Sequence, residues 1–482
     1  MEIDFEAQAP IDPATAEVQT LLSSIQGNIL KGHGRDRTVH IFVRFDETNV
    51  EKLRNKLVSF AERNVTSALQ QHIESEQFKK FKVPGALFGN IFLTANGYKA
   101  LGFSEDKVKD AFSDQFFLEG MSAHGENLSD PPAAKWDKGY RNNRIDAMFL
   151  LGDDDKDFLL RQTRVVLNEL DRFCEILVIE HGDALRNKDN KEGIEHFGYV
   201  DGRSQPIYLT TDLKNEGKTD KWNPVEPLNT VLVKDTAVSG ENHFGSYFVF
   251  RKLEQNVLAF KTREIELADA LNLKEKDRER AGAMAVGRFE DGTPLVLQQS
   301  DGLVPPKENN FSYDIDANAS KCPFQAHIRK TNPRGDTVRR FEVSERDERD
   351  RRITRRGITY GKREKHPNDA QSLSDFPTKD VGLLFMCFQA SIEKQFVFMQ
   401  QSWANNESFL DAGIGLDPVI GQIAAGTIAA PQKWRAHWGD TVPENSEDAE
   451  LQDFSFSGFV KMKGGEFFFA PSMEFLKTFA PI

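Results

Sequence analysis

Apolar and polar side chains alternate in two well-separated segments of the chain, Thr38–Phe45 and Gly245–Lys252. An alternation with a period of two is typical of a strand that buries one face. Later in each half, an apolar run leads into a stretch of helical periodicity, Ile145–Leu151 in the first half and Gly382–Ala390 in the second. The order of strand, helix, strand, strand and helix therefore occurs twice. It predicts an α+β fold with a duplicated unit, in which an antiparallel sheet carries helices on one face.

The length of the chain also favours two units, since 482 residues exceed what one hydrophobic core usually covers. Between the repeats, the polar stretch Thr210–Pro227 contains Gly, Asn and Pro and is typical of a linker. We therefore expect a loose N-terminal arm over residues 1–20, a first unit over 21–209, a linker over 210–235 and a second unit over 236–482.

The charge of the chain limits the partners it can have. A net charge of −13 argues against binding to nucleic acid or to a membrane surface. The exception is Ile328–Lys365, where 14 basic residues against 7 acidic ones suit an anionic ligand. The three cysteines form no CxxC pair, residues 1–20 lack the pattern of a secretion signal, and no apolar run has the length of a membrane span. These features predict a cytoplasmic protein.

The first candidate for chemistry is His327, in the segment Cys322–Arg334. The chain has no HExxH motif, and no thiolate cluster lies near this histidine, so a zinc site is poorly supported. Haem iron needs only one strong axial ligand from the protein, which suits an isolated histidine better. Arg329 and Arg334 flank His327, and their guanidinium groups could pair with the carboxylates of haem.

Two further candidates are a carboxylate and a guanidinium. Asp201 is framed by Gly198 and Gly202, which indicates either a tight structural turn or a fixed carboxylate that can move a proton. Arg355 follows the apolar residue Ile353 in a segment that reads as a strand with one buried face. One arginine of that segment could then point into a pocket.

Several motifs, in this order along the chain, resemble those of the dye-decolourising peroxidases, a family of haem peroxidases. The resemblance covers nearly the whole chain and is nearest to the larger members of the family. It rests on these segments: IQGNILKGHG (25–34), GYVDG (198–202), HIRKTNPR (327–334), RRGITYG (355–361), GLLFMCFQASIEKQFVFMQQSW (382–403) and GGEFFFAPS (464–472).

The resemblance implies two tandem ferredoxin-like units and one haem b per chain, held mainly by the second unit. It makes His327 the proximal ligand of the haem iron and Asp201 and Arg355 the catalytic pair on the other side. Glu393 would hold His327 by a hydrogen bond and raise the basicity of the imidazole. Leu383 and Phe385 would cover the haem face.

The activity implied is the reduction of hydrogen peroxide, coupled to one-electron oxidation of dyes, phenols or other aromatic reductants. Asp201 would act as the acid–base group and Arg355 as the electrostatic stabiliser, with an acidic pH optimum. Trp403 and Tyr360 are candidate relays of electrons from the surface, and a homo-oligomer is possible. Two alternatives remain open from the residues: a haem carrier or sensor without catalysis, and a nucleic-acid binder that uses the basic segment.

Overall fold

The computed structural model describes residues 3–141, 143–370, 372–424, 426–439 and 451–481. Its strands are β1 (Arg37–Phe45), β2 (Phe88–Leu93), β3 (Ala147–Asp153), β4 (Cys174–Asp183), β5 (Val233–Lys234), β6 (Phe244–Gln255), β7 (Thr354–Arg355), β8 (Ile358–Tyr360), β9 (Gly382–Gln389), β10 (Gln432–Trp434), β11 (Gln452–Phe454) and β12 (Val460–Ala470). Its α-helices are α1 (Ala16–Ser24), α2 (Val50–Asn64), α3 (Ala68–Phe81), α4 (Ala95–Ala100), α5 (Glu105–Ala111), α6 (Gln115–Glu119), α7 (Lys156–Leu170), α8 (Thr210–Leu213), α9 (Val257–Ala270), α10 (Glu279–Val286), α11 (His327–Thr331), α12 (Asp336–Phe341) and α13 (Glu345–Arg349). Two π-helical turns, Ile392–Val397 and Met399–Ala404, follow β9.

The strand order confirms the predicted duplication. In the first half the strands lie in the order β4-β1-β3-β2, and in the second half in the order β12-β6-β9, with both β7 and β8 on the far side of β9. All of these pairs are antiparallel. Each half therefore has the strand order of a ferredoxin-like unit, because its first strand lies between the fourth and the third.

The two sheets join into one. Strand β12 pairs with β6 along most of its length and with β2 at Phe469 and Leu93. At the other end, the Thr359 hydroxyl of β8 donates to the carbonyl of Asp183 (2.5 Å) and accepts from the amide of Leu185 (3.0 Å). The outer strand β8 therefore lies against the end of β4, where the Thr359 side chain joins them.

Phenylalanine fills much of the space between the strands. The rings of Phe92 and Phe248 stack at 4.1 Å, and the rings of Phe248 and Phe388 lie 4.7 Å apart. Phe92, Phe248 and Phe388 are fully buried. Much of the high content of phenylalanine, 38 residues, is thus explained by packing across both units.

Phe248→Ala should destabilise the fold by about 3–5 kcal/mol, because it removes a ring that packs on both units. Urea unfolding measures this loss in the free energy of unfolding. We expect the slope m, the dependence of that free energy on urea concentration, to stay unchanged. Phe78→Ala is the matched control, since that side chain is 46% exposed and should cost little. A loss of less than about 1 kcal/mol at Phe248 would show that the two halves do not share one core.

Two predictions, one about the N-terminal arm and one about a helix, are wrong. The arm is not loose: Phe5 stacks on Phe244 at 4.5 Å, and Ile11 pairs with Leu209 as two adjacent strand residues do. The amphipathic spacing of residues 49–73 predicts one helix, but the structure has two, α2 and α3, because Ser67 caps the second by accepting from the amide of Gln70 (3.1 Å).

The three cysteines are thiols in the interior of the fold. Cys174, Cys322 and Cys387 are free and buried. Burial raises the pKa of the Cys322 thiol to about 12, so that this thiol stays protonated. Within the part of the chain that the structure describes, we find no helix long and apolar enough to cross a membrane.

Candidate active site

A large cavity adjoins the second unit. It is lined by β9, by the loop that carries Asp201, by α11 and by the π-helical turns. It contains about 1720 Å³ of space free of protein atoms, counted together with the solvent at its open mouth. Its apolar walls include Leu383 and Phe385, which face the same side because they alternate along β9. The cavity therefore suits a large, mostly apolar ligand.

His327 is the first residue of α11 and lines this cavity. Its Nδ1 atom lies 2.8 Å from Oδ2 of Asp417, a fully buried carboxylate. The other carboxylate oxygen of Asp417 accepts from the amides of Val419 (2.8 Å) and Ile420 (3.0 Å). Because a carboxylate only accepts, Nδ1 of His327 carries the proton, and Nε2 keeps a lone pair that can bind a metal ion.

The prediction that Glu393 holds His327 is wrong. Glu393 is exposed and does not line the cavity, and its backbone amide donates to Asp114 (3.1 Å). The group that holds His327 is Asp417, 90 residues after it. No spacing rule links the two residues, and an aspartate before a proline, as in Asp417–Pro418, is typical of an ordinary turn.

Asp201 and Arg355 line the same cavity as His327 and contact each other. Nη1 of Arg355 donates to Oδ1 of Asp201 at 2.6 Å, and Nη2 donates to the carbonyl of Arg203 at 2.8 Å. The amide of Gly202 also donates to Oδ1 of Asp201 (2.7 Å). The side chains of Asp201 and Arg355 keep about a third of their surface open, at 31% and 29%. The pair is thus fixed in place and remains accessible from the cavity.

These contacts control the ionisation of Asp201. Burial by itself would raise the pKa of this carboxyl, but the charge and hydrogen bond of Arg355 and the Gly202 amide outweigh it. The pKa of Asp201 therefore lies below its ordinary value, and the carboxylate can accept a proton over most of the pH range.

The arginine next to Arg355 explains one of the N-terminal motifs. Arg356 is half-buried, and its guanidinium donates to the carbonyls of Asn28 (2.6 Å), Ile29 (2.9 Å) and Arg355 (2.8 Å). Asn28 turns its carbonyl inward from a left-handed backbone conformation, with φ of 71°. The IQGNILKGHG segment therefore anchors the strand corner that carries Arg355.

Of the two arginines that flank His327, only one lines the cavity. Arg329 is fully buried between Asp316 (2.9 Å) and Asp336 (2.7 Å), so its predicted contact with haem is wrong. Arg334 does line the cavity. Its guanidinium bonds carbonyl, hydroxyl and amide oxygens of Ser204, Asn309 and Phe311, and no carboxylate among the described residues.

Several of the arginines that line the cavity were missed by the sequence analysis. Arg288 and Arg352 line the cavity, and burial lowers the pKa of each to about 10. Nη2 of Arg288 and Nη2 of Arg352 are buried and bond to none of the described groups. Arg352 is partly neutralised by Glu226. With Arg334, these residues give one side of the cavity an excess of buried positive charge, which calls for an anionic ligand.

The proposed electron relays do not line the cavity. Trp403 is 4% exposed and Tyr360 is 7% exposed, and each packs in the core. The surroundings of Trp403 and Tyr360 are therefore those of residues that pack in the core.

Family models match both halves of the chain. Residues 24–182 match the DyP dimeric alpha+beta barrel domain, and residues 218–433 match the C-terminal domain of Dyp-type peroxidases. The chain belongs to the dye-decolourising peroxidase family. Members of this family are haem enzymes, and the chain is a peroxidase of this type.

Individual dye-decolourising peroxidases match over almost the full length. The multifunctional dye peroxidase DyP2 of Amycolatopsis sp. is 44% identical over 99% of this chain and all of the relative. The structure of a DyP-type peroxidase of Anabaena sp. superposes with a TM-score of 0.88 at 40% identity, covering 98% of this chain and 97% of that one. A dye-decolourising peroxidase solved in complex with 2,6-dimethoxyphenol has a TM-score of 0.76 at 27% identity, covering 95% and 98%.

The contrast between Asp417 and Glu393 gives a direct test of the predicted role of His327 as a haem ligand. Asp417→Asn should weaken haem binding roughly 10–100-fold, because it removes the charge that orients the imidazole and makes it more basic. It should also raise the reduction potential of the iron. Haemin titration and a spectroelectrochemical measurement follow the two effects. Glu393→Gln should change neither, and an equal effect of both substitutions would contradict the assignment.

Proposed function

We propose that the chain binds one haem b in the cavity through His327 and uses hydrogen peroxide to oxidise phenols, dyes and related aromatic reductants. The observation that carries this proposal is one cavity that combines an imidazole with a free Nε2 and a carboxylate paired with a guanidinium. A carrier or a sensor of haem does not need that second pair.

The residues of the cavity fit haem. Haem is a flat apolar ring with two carboxylates, and the cavity has apolar walls and a side with uncompensated arginines. Arg334, Arg288 and Arg352 would hold the two carboxylates by charge-assisted hydrogen bonds, and Leu383 and Phe385 would pack on the ring. When bound, haem supplies a redox-active iron that takes up the oxidising equivalents of peroxide and passes them singly to reductants.

The acid–base chemistry falls to Asp201. Its carboxylate would take a proton from one oxygen of hydrogen peroxide and return it to the other oxygen, so that water leaves. Arg355 would stabilise the negative charge that develops as the O–O bond breaks, a contribution of roughly 3–4 kcal/mol for one well-aimed donor. Because Asp201 has a low pKa, this base stays active in acid, which supports an acidic optimum.

The related proteins support an inference about the substrates and the oligomeric state of this chain. One structure of a dye-decolourising peroxidase contains 2,6-dimethoxyphenol, and the matched N-terminal domain is described as dimeric. We therefore infer phenolic reductants and a homo-oligomer for this chain.

A haemin titration followed by a peroxide assay tests the proposal. We expect a Soret band at one haem per chain and peroxide-dependent oxidation of 2,6-dimethoxyphenol through its one-electron product. A Soret band without peroxide-dependent turnover would instead favour a carrier or sensor. Failure to bind haemin would overturn the proposal.

A further inference from the structure

The cavity contains a second carboxylate close to Asp201 in the chain. Of the described residues that line the cavity, two are acidic, Asp201 and Glu195. Glu195 lies at the start of the loop that ends at Asp201. Nothing in the proton transfer described above uses it, so its role needs a separate explanation.

The Glu195 carboxylate binds the loop from the inside. Its Oε2 atom accepts from the amide of Phe197 (2.7 Å), and its Oε1 atom accepts from the amide of Tyr199 (3.0 Å). The side-chain amide of Gln255, at the end of β6, also donates to Oε2. Three donors from two parts of the fold therefore converge on one carboxylate.

Backbone hydrogen bonds close the same loop. The amide of Glu195 donates to the carbonyl of Tyr199 (3.2 Å), and the amide of Gly198 donates to the carbonyl of Glu195 (3.0 Å). Gly198 has φ of 105°, a conformation that disfavours other residues. Asp201 lies two residues after Tyr199, and the backbone amide of Asp201 donates to the carbonyl of Gly193 (2.9 Å). The position of Asp201 thus depends on how tightly this turn is held.

We propose that Glu195 is a positioning residue for Asp201: its carboxylate fixes the turn of residues 195–199, so that Asp201 stays within hydrogen-bond distance of Arg355. This inference rests on the proposed role of Asp201 as the proton acceptor. A carboxylate is needed because all three partners are donors, and a glutamine would set its own NH₂ group against one of them. Burial raises the pKa of Glu195 to about 7, so the ionised form prevails above neutrality.

The test measures the second-order rate of reaction with hydrogen peroxide by stopped flow on the haem-loaded protein. It is run at about pH 8, where Glu195 and Asp201 are both ionised. The variants are Glu195→Gln, Asp201→Asn, the double variant and the control Glu290→Gln. Glu290 lies beside Gly198 and pairs with Lys261, but it accepts none of the loop amides, so its replacement should leave the rate unchanged.

We expect Glu195→Gln to lower the rate with peroxide by about tenfold or more and to leave the later oxidation of the phenol unchanged. In the Asp201→Asn background the same substitution should have an effect of less than about twofold, because the residue acts through Asp201. The Soret band and the melting temperature report whether the pocket is still intact. A general loss of structure would not slow the reaction with peroxide while leaving the oxidation of the phenol unchanged.

The outcomes separate the two proposals. If Asp201→Asn leaves the rate unchanged, the proposed function of Asp201 fails. If Asp201→Asn is slow but Glu195→Gln is not, or if Glu195→Gln costs the same in both backgrounds, the role of Glu195 is wrong. Should Glu195→Gln fail to fold, Glu195→Asp replaces it. The shorter carboxylate keeps its charge but cannot reach both amides, so we expect an intermediate loss, and a wild-type rate would overturn the inference.

Discussion

His327→Ala is expected to abolish stable binding of haem. The imidazole offers the cavity a free Nε2 that Asp417 orients, and no group of three or more metal-binding side chains occurs among the described residues to replace it. Removing only a hydrogen-bond partner of a metal ligand costs roughly 10–100-fold in affinity, so loss of the ligand itself should cost more. Haemin titration followed at the Soret band measures the affinity.

The control for this substitution is His181→Ala, since His181 is exposed on β4 and should not influence binding. Added imidazole should restore part of the Soret band in His327→Ala by entering the space that the side chain leaves. An unchanged band and affinity in His327→Ala would show that haem is bound elsewhere or through another residue.

Asp201→Asn is expected to slow the reaction with hydrogen peroxide by roughly 10²–10⁴-fold, because asparagine cannot accept the proton. Binding of haem should be preserved, since asparagine can still accept a hydrogen bond from Arg355. Stopped-flow mixing with peroxide measures the rate. Asp212→Asn is a suitable control, because Asp212 pairs with Lys31 outside the large cavity. A loss of less than about tenfold would count against the proton-transfer role.

The pH dependence gives the same residue a second signature. Because the pKa of Asp201 is lowered from its ordinary value, the carboxylate is present at neutral pH and is lost only as the pH falls through that lowered pKa. The acid limb of kcat/KM for peroxide should therefore lie below roughly pH 3.9, the value of an unperturbed aspartate. That limb should disappear in Asp201→Asn.

The strands could be predicted closely from the sequence, whereas the break between α2 and α3 could not. The strand expected at Thr38–Phe45 is found at Arg37–Phe45, because alternation of apolar residues reports directly on one buried face. The helix break near Ser67 depends on a side-chain cap, which periodicity does not reveal. The packing of the first twenty residues depends on tertiary contacts that composition cannot show.

The candidate site divides in a similar way. His327, Asp201 and Arg355 line one cavity, as the motifs implied. Arg329 was misplaced because it lies two residues after His327 on α11, and such a pair points to roughly opposite sides of a helix. Asp417 was missed because its contact with His327 joins the start of α11 to a loop that is distant in the sequence.

The position of β12 has a consequence for biosynthesis. This strand holds residues 460–470 and pairs with β6 as well as with β2, so a nascent chain exposes two unpaired strand edges until β12 has been synthesised. Unpaired edges are sites of aggregation, which places a demand on chaperones at the ribosome. A stop codon shortly before position 460 should therefore yield insoluble protein instead of a stable first unit.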